Sequence, residues 1–272
     1  MRFLRLFIFS IVTFLYLIPA VSSFAQMYHG QPVTHVSLIA GNMVTGKGFT
    51  LGIRMQLNPG WHTYWKNPGD AGFQINAELI DANGFSAGEL KFPTPYKIIN
   101  GGEVLYAYDS EVVFLLPIKP PKDVKSSPQF KVKLNWLACK EVCIPGEATI
   151  PFIADSISAN DRKTNQRILD HWTAKLPQPG IGFNLNKAEA VVTQKDDKLS
   201  VFIKFLEMAP GTVKDFFPEV INGFVNYYSD IIVGDDGITL TLTPSSKDSK
   251  LTEIKGIAVI GTTGYEVDFP VK

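Results

Sequence analysis

Cys139 and Cys143 are the only cysteines in 272 residues, and only Lys140-Glu141-Val142 separates them. Thiols paired at this spacing can close a structural disulfide, exchange with a partner's thiols, or hold a soft metal. Which of these applies depends on the elements that carry them. Phe130-Lys131-Val132-Lys133-Leu134-Asn135-Trp136 alternates apolar and polar residues, the period of a half-buried strand. Ala148 to Ile153 begins a second strand-like run. The cysteines therefore fall at the tip of a β-hairpin, whose flanks approach within about 5–6 Å, close enough for Cys139 and Cys143 to pair.

A staple at this position would accomplish little. Closing a loop of three intervening residues removes little chain entropy, and two cysteines are too few for a disulfide-built scaffold. Thiol–disulfide exchange is the better match, since either sulfur of a loop-tip pair can be attacked and the other can resolve the mixed disulfide. Lys140 favours a thiolate at Cys139 and Glu141 opposes it, which leaves the identity of the nucleophile open.

The N-terminus supplies the compartment. Arg2 and Arg5 precede an apolar run from Leu6 to Ile18, followed by Ser23-Phe24-Ala25. This is the charge, length and small-x-small pattern of a signal peptide over residues 1–25, cleaved after Ala25. The mature chain is expected to be soluble and exported. Losing two arginines from a chain with 26 basic and 26 acidic residues leaves a net charge of −2. With no basic run, nucleic acid is not expected as a partner.

The rest of the chain must position the pair. Phe49 to Leu57 alternates cleanly, and an aromatic segment, Trp61-His62-Thr63-Tyr64-Trp65, follows between two Asn-Pro-Gly turns. On a strand, Trp61, Thr63 and Trp65 share one side and His62 and Tyr64 the other, so tryptophans in the core send His62 and Tyr64 outward. Gly101 to Asp109, with Tyr106 and Tyr108, reads as a loop with exposed aromatics. Frequent Gly and Pro between short strands indicate an antiparallel β-sandwich over residues 26–157. Residues 158–180 read as a capped helix with an apolar stripe (Ile168, Leu169, Trp172, Leu176) and a linker. Residues 181–272 read as a second β-sandwich-like domain. The fold class expected is all-β with one connecting helix.

Other chemistries find no support in the sequence. There is no Gly-x-Ser-x-Gly elbow, and no glycine loop leads from a strand into a helix. The two thiols with His62 match no zinc spacing; Met43 or Met55 would make copper the better candidate, but no metal and no cofactor is expected.

Trp136-x-x-Cys139-x-x-x-Cys143-x-Pro145, taken with Gly60-Trp61-His62-Thr63-Tyr64-Trp65, resembles the N-terminal periplasmic domain of the DsbD thiol:disulfide interchange family, in its copper-sensitivity-suppressor ScsB-like branch. The resemblance covers roughly residues 30 to 155. It implies an immunoglobulin-like sandwich whose Cys139/Cys143 pair relays electrons to periplasmic thioredoxin-fold or metal-handling proteins. It also implies an aromatic cap over the pair, matched by Glu103 to Glu111 with Tyr106 in the capping position and Tyr108 beside it. Tyr64 matches a tyrosine at the family's site, and His62 stands where another tyrosine is frequent. The family's best-known members space the cysteines more widely and carry phenylalanine at the cap. The 272 residues include no membrane-embedded carrier, so the resemblance implies an electron donor on a separate chain. The competing reading is a non-catalytic periplasmic binding module, for protein or copper, with a disulfide that only stiffens a recognition loop.

Overall fold

The computed structural model describes residues 23–124, 126–180, 185 and 187–271. The expected leader lies outside the described residues up to position 22; Ser23, Phe24 and Ala25 open the first strand. Among the described residues no helix is long and apolar enough to cross a membrane.

Among the described residues, eleven strands precede the long helix: β1 Ser23–Tyr28, β2 Gln31–Ala40, β3 Phe49–Leu57, β4 His62–Gly69, β5 Asn76–Ile80, β6 Ser86–Ala87, β7 Tyr96–Asn100, β8 Glu103–Asp109, β9 Glu111–Lys119, β10 Gln129–Cys139 and β11 Cys143–Ile153. They form two antiparallel sheets, ordered β1-β2-β3-β9-β6 and β11-β10-β4-β8-β7, with β5 also paired to β10. The alternation seen in the sequence decides which side faces in. Phe130, Val132, Leu134 and Trp136 of β10 meet Ala148, Ile150 and Phe152 of β11 in the core, while Lys131 and Lys133 look out.

Helix α1, Ala159–Thr173, is capped by Ser158, whose Oγ accepts from the Asp161 amide at 3.1 Å. Read from sequence as a connector, it also packs on the first sandwich. Leu169 and Trp172 join that core, and Asn165 Nδ2 donates to the Ala40 carbonyl at 3.1 Å. His171 is exposed on the helix, edge-on to Trp172.

The remaining strands are β12 Gln178–Pro179, β13 Ala188–Lys195, β14 Lys198–Phe205, β15 Val213–Pro218, β16 Phe224–Asn226, β17 Ile232–Val233, β18 Gly237–Pro244, β19 Glu253–Ile260 and β20 Thr263–Pro270. They make two further sheets, β12-β20-β19-β15 and β13-β14-β18-β16, with β17 also on β18, around a core of their own. The architecture is all-β: a sandwich, a connecting helix and a second β-rich unit.

The two units meet on one face of the first sandwich. The register between β4 and β8 slips after Tyr64, so Trp65 to Pro68 bulge from the ladder toward the second unit. Lys66 pairs with Glu219 at 2.5 Å, and Asn67 Nδ2 donates to the Pro218 carbonyl at 2.8 Å. Tyr228 donates its hydroxyl to Asn67 Oδ1 at 3.1 Å, and Lys97 pairs with Asp215. Phe217 packs edge-on against Tyr106 (5.1 Å between centroids) and Trp65 (6.4 Å). The first core therefore continues into the second unit through an aromatic contact.

Candidate redox site at the β10–β11 hairpin

The hairpin keeps an unbroken register from Gln129↔Ile153 to Cys139↔Cys143, which sets the two cysteines directly opposite each other. The turn is closed by the Lys140 amide donating to the Val142 carbonyl at 3.0 Å. Cys139 and Cys143 form a disulfide, with an S–S bond of 2.04 Å and 4.1 Å between Cα atoms. Their surroundings differ because β10 is an inner strand and β11 an edge. Cys139 pairs with His62 of β4 and is 2 % exposed, whereas Cys143 is open to solvent. One sulfur is presented and the other is held behind it.

Two of the four aromatic residues expected at the site are there. His62 and Tyr64 lie on the cysteine side of β4, and Trp65 lies in the main core, as the alternation requires. The Tyr64 hydroxyl sits 3.2 Å from His62 Nε2 and 4.0 Å from Cys143 Sγ. Both residues face away from the tryptophan side, but neither is open to solvent as an outward position suggested. Asp70-Ala71-Gly72 covers Tyr64, and Tyr64 in turn packs edge-on against the His62 ring. The Asp70 carboxylate accepts from the Val104 amide at 2.7 Å while the Asp70 amide donates to the Val104 carbonyl at 2.9 Å, pinning the segment to β8. Gly72, with φ +106°, lies so close to the Tyr64 ring that a Cβ there would collide with it. Beneath this cover, Tyr64, Leu105, Ala107, Leu137 and Cys139 form a small apolar cluster, with Ala71 and Ile98 at its edge.

Tyr106 and Tyr108 lie elsewhere. Gly101 to Asp109 is not an exposed loop: Glu103–Asp109 is strand β8, with Leu105 and Ala107 toward the cysteines and Val104, Tyr106 and Tyr108 on the opposite face. Tyr106 is fully buried against Trp65, Phe217 and Tyr228, and its hydroxyl has no hydrogen-bond partner among the described residues. Tyr108 donates to the Pro93 carbonyl at 2.7 Å and packs on Phe114. Both faces of β8 are covered, which is why its sequence has no polar side. Leu105, Ala107 and the 70–72 cover are what sequence reasoning missed; the pair of positive-φ glycines flanking Asp70-Ala71 was the available signal.

The electrostatics follow from burial. Desolvation holds the His62 imidazole below its usual pKa, against the pull of the Asp109 carboxylate. Burial, aided by Glu103, pushes the Tyr64 phenol up to about 12, so at neutral pH it is a proton donor. Burial also raises the phenols of Tyr106 and Tyr108, at a distance from the sulfurs. Among the described residues no group of three or more His, Cys, Asp and Glu side chains is placed to hold a metal ion. What the arrangement offers is a disulfide attackable at one sulfur, with a phenol hydroxyl aimed at that sulfur.

Residues 32–153 match the family described as "Thiol:disulfide interchange protein DsbD, N-terminal". The match spans the hairpin, β4 and β8, and this stretch is a DsbD N-terminal-like domain. The N-terminal periplasmic domain of ScsB from Proteus mirabilis has a similar structure, with a TM-score of 0.68 at 15 % identity over 92 % of this chain and 98 % of that one. That likeness is one of fold, and it takes in both β units. The DsbD N-terminal domain of Neisseria meningitidis in its reduced form aligns over 43 % of this chain and 82 % of that one, at 18 % identity and a TM-score of 0.30. No curated protein matches the sequence.

Proposed function

We propose, from a DsbD N-terminal-like domain over residues 32–153, that the chain is an exported thiol–disulfide carrier working in the periplasm. Its Cys139/Cys143 pair accepts electrons from a membrane-embedded donor on a separate chain and passes them to thioredoxin-fold or metal-handling proteins. The observation that carries this reading is the asymmetry of the pair: Cys143 is exposed beside a phenol donor while Cys139 is buried behind it. A disulfide serving only as a staple has no use for that difference.

In the accepting direction, the donor's thiolate attacks Cys143 Sγ. The donor–Cys143 bond forms as the Cys139–Cys143 bond breaks, and Cys139 leaves as a thiolate that takes up a proton. The donor's second thiol, deprotonated, then attacks its own sulfur in the mixed disulfide. Cys143 leaves as a thiolate, and the Tyr64 hydroxyl is the group placed to donate to it. Two electrons and two protons have moved, and the donor holds the disulfide. Delivery to a client is the same sequence reversed, with Cys143 attacking and Cys139 resolving.

The test is trapping by single-cysteine variants in the periplasm. Cys139→Ser should accumulate a mixed disulfide with a thioredoxin-fold protein through Cys143, and Cys143→Ser should not. Equilibration with glutathione should place the native disulfide above the range of structural disulfides, which lie below about −300 mV. A potential within that range, or trapping through Cys139 alone, would sink the proposal.

A further inference from the structure

Gln26 carries a buried primary amide that the exchange chemistry described so far leaves unused. Its backbone belongs to β1, paired with Thr34 of β2 in one sheet, while its side chain reaches across to the hairpin of the other. Oε1 accepts from Trp136 Nε1 at 2.9 Å, and Nε2 donates to the Ile144 carbonyl at 3.0 Å and the Pro145 carbonyl at 3.1 Å. The residue is 5 % exposed. One amide thus ties Trp136 of β10 to β11 at Ile144 and Pro145, directly after Cys143.

The neighbouring residues serve the same junction. The β1–β2 register shifts between Gln26 and Met27, an irregularity of the kind that re-aims a side chain out of its sheet. In the uncleaved chain Phe24 also sets its ring edge-on to Trp136, 6.0 Å between centroids, a contact that cleavage after Ala25 would remove while leaving Gln26 in place. Gly146 has no Cβ because one would sit inside the Trp136 indole. A primary amide suits this place because it accepts from one N–H while donating to two carbonyls. A carboxylate would face those carbonyls with no proton to give.

We infer that Gln26 is a positioning residue for the Cys139/Cys143 couple. The inference rests on the thiol–disulfide reading above. In the oxidised protein the S–S bond adds to the β10–β11 ladder in holding the cysteines opposite each other. On reduction that bond is gone, and Cys143 sits on an edge strand held in the ladder by β10 on one side, with no partner on its far side among the described residues. The Gln26 amide then keeps Cys143 within reach of Cys139 and of the Tyr64 hydroxyl. Pre-placing two reacting groups raises their effective concentration. The clamp therefore favours ring closure, both at equilibrium and when Cys139 resolves a mixed disulfide at Cys143.

The experiment compares the native chain with Gln26→Ala and Gln26→Glu. Three readouts are taken: the equilibrium constant with glutathione, the rate at which Cys139 resolves a Cys143–glutathione mixed disulfide, and denaturant unfolding of both redox forms. We expect both variants to shift the equilibrium toward the dithiol by roughly three- to tenfold, about 15–30 mV at ~30 mV per tenfold change, and to slow resolution by a similar factor. A purely structural role would weaken both redox forms alike and leave potential and resolution rate unchanged; that result overturns the inference. Should the Gln26 variants not fold, Trp136→Phe removes one of the three bonds and is read in the same way. Failure of the exchange reading looks different: the native disulfide would then sit in the structural range and exchange with no client, whatever the variants do.

Discussion

Removing one oxygen atom tests whether Tyr64 belongs to the chemistry. In Tyr64→Phe the ring still fills the space beneath Gly72, so the apolar cluster around Cys139 is preserved. What is lost is the hydroxyl between His62 Nε2 and Cys143 Sγ. With its phenol pushed up to about 12, Tyr64 can act toward a Cys143 thiolate only as a donor. A hydrogen bond to a charged group contributes about 1.5–3 kcal/mol. At 4.0 Å this one is long even for sulfur, so the lower end applies. About 1.4 kcal/mol corresponds to roughly one pKa unit, so the Cys143 thiol should titrate about one unit higher in the variant. Below that pKa the thiolate fraction falls about tenfold, while the more basic thiolate is about threefold more nucleophilic at a Brønsted slope of 0.4–0.5, leaving attack roughly threefold slower. The assay is the pH dependence of alkylation in a Cys139→Ser background, where Cys143 alone reports. A midpoint that stays put or moves down refutes the assignment and shows that the hydroxyl spends its proton on His62.

Three further outcomes follow from the same structure. Tyr106→Phe removes a buried hydroxyl without a partner among the described residues, so unfolding free energy should hold or rise by up to about 1 kcal/mol, with the exchange rate unchanged; a severalfold loss of exchange would return Tyr106 to the role of cap. Because burial lowers the His62 pKa, the unfolded chain binds the more protons, so stability is full above about 6.5 and declines as pH falls from there toward the lowered native value. His62→Gln should flatten that slope in denaturant titrations across this range, and an unaltered slope would place its origin elsewhere. A chain beginning at Ser23 keeps the pairs of Ser23, Phe24 and Ala25 with β2 and the Phe24–Trp136 contact, and should exceed a chain beginning at Gln26 by about 0.5–1.5 kcal/mol from the aromatic contact alone, read by thermal or denaturant unfolding.

The hairpin was legible because β10 alternates without a break up to Trp136, and so were the two faces of β4, because side chains on a strand can point only two ways. The environment of those faces was not legible. Tyr64 is covered by three residues whose path depends on two positive-φ glycines and on one carboxylate bonded to a strand more than thirty residues away. Tyr106 was misplaced for a related reason. Val104, Tyr106 and Tyr108 alternate with Leu105 and Ala107, so β8 has no polar side, and after Gly101-Gly102 it resembled a loop rather than a strand covered twice. Its second cover, Phe217 and Tyr228, lies over a hundred positions downstream. Helix α1 was readable from its cap and stripe, but the stripe alone did not say that Leu169 and Trp172 would pack into the first sandwich.

Strand β8 links these observations. Leu105 and Ala107 form the floor of the cluster that holds Cys139 and Tyr64, and Tyr106, between them in sequence, is clasped by Phe217 and Tyr228. A shift of β8 would move both surfaces at once, because neighbouring residues on a strand cannot turn independently. The second β unit also holds the bulged end of β4 through Lys66 and Asn67, just beyond Tyr64. Two of the strands behind the disulfide are thereby braced from the side away from solvent. Gln26 braces the hairpin from the other edge, through β1. Cys143, exposed at the tip of that braced hairpin, is the sulfur a partner's sulfur can approach.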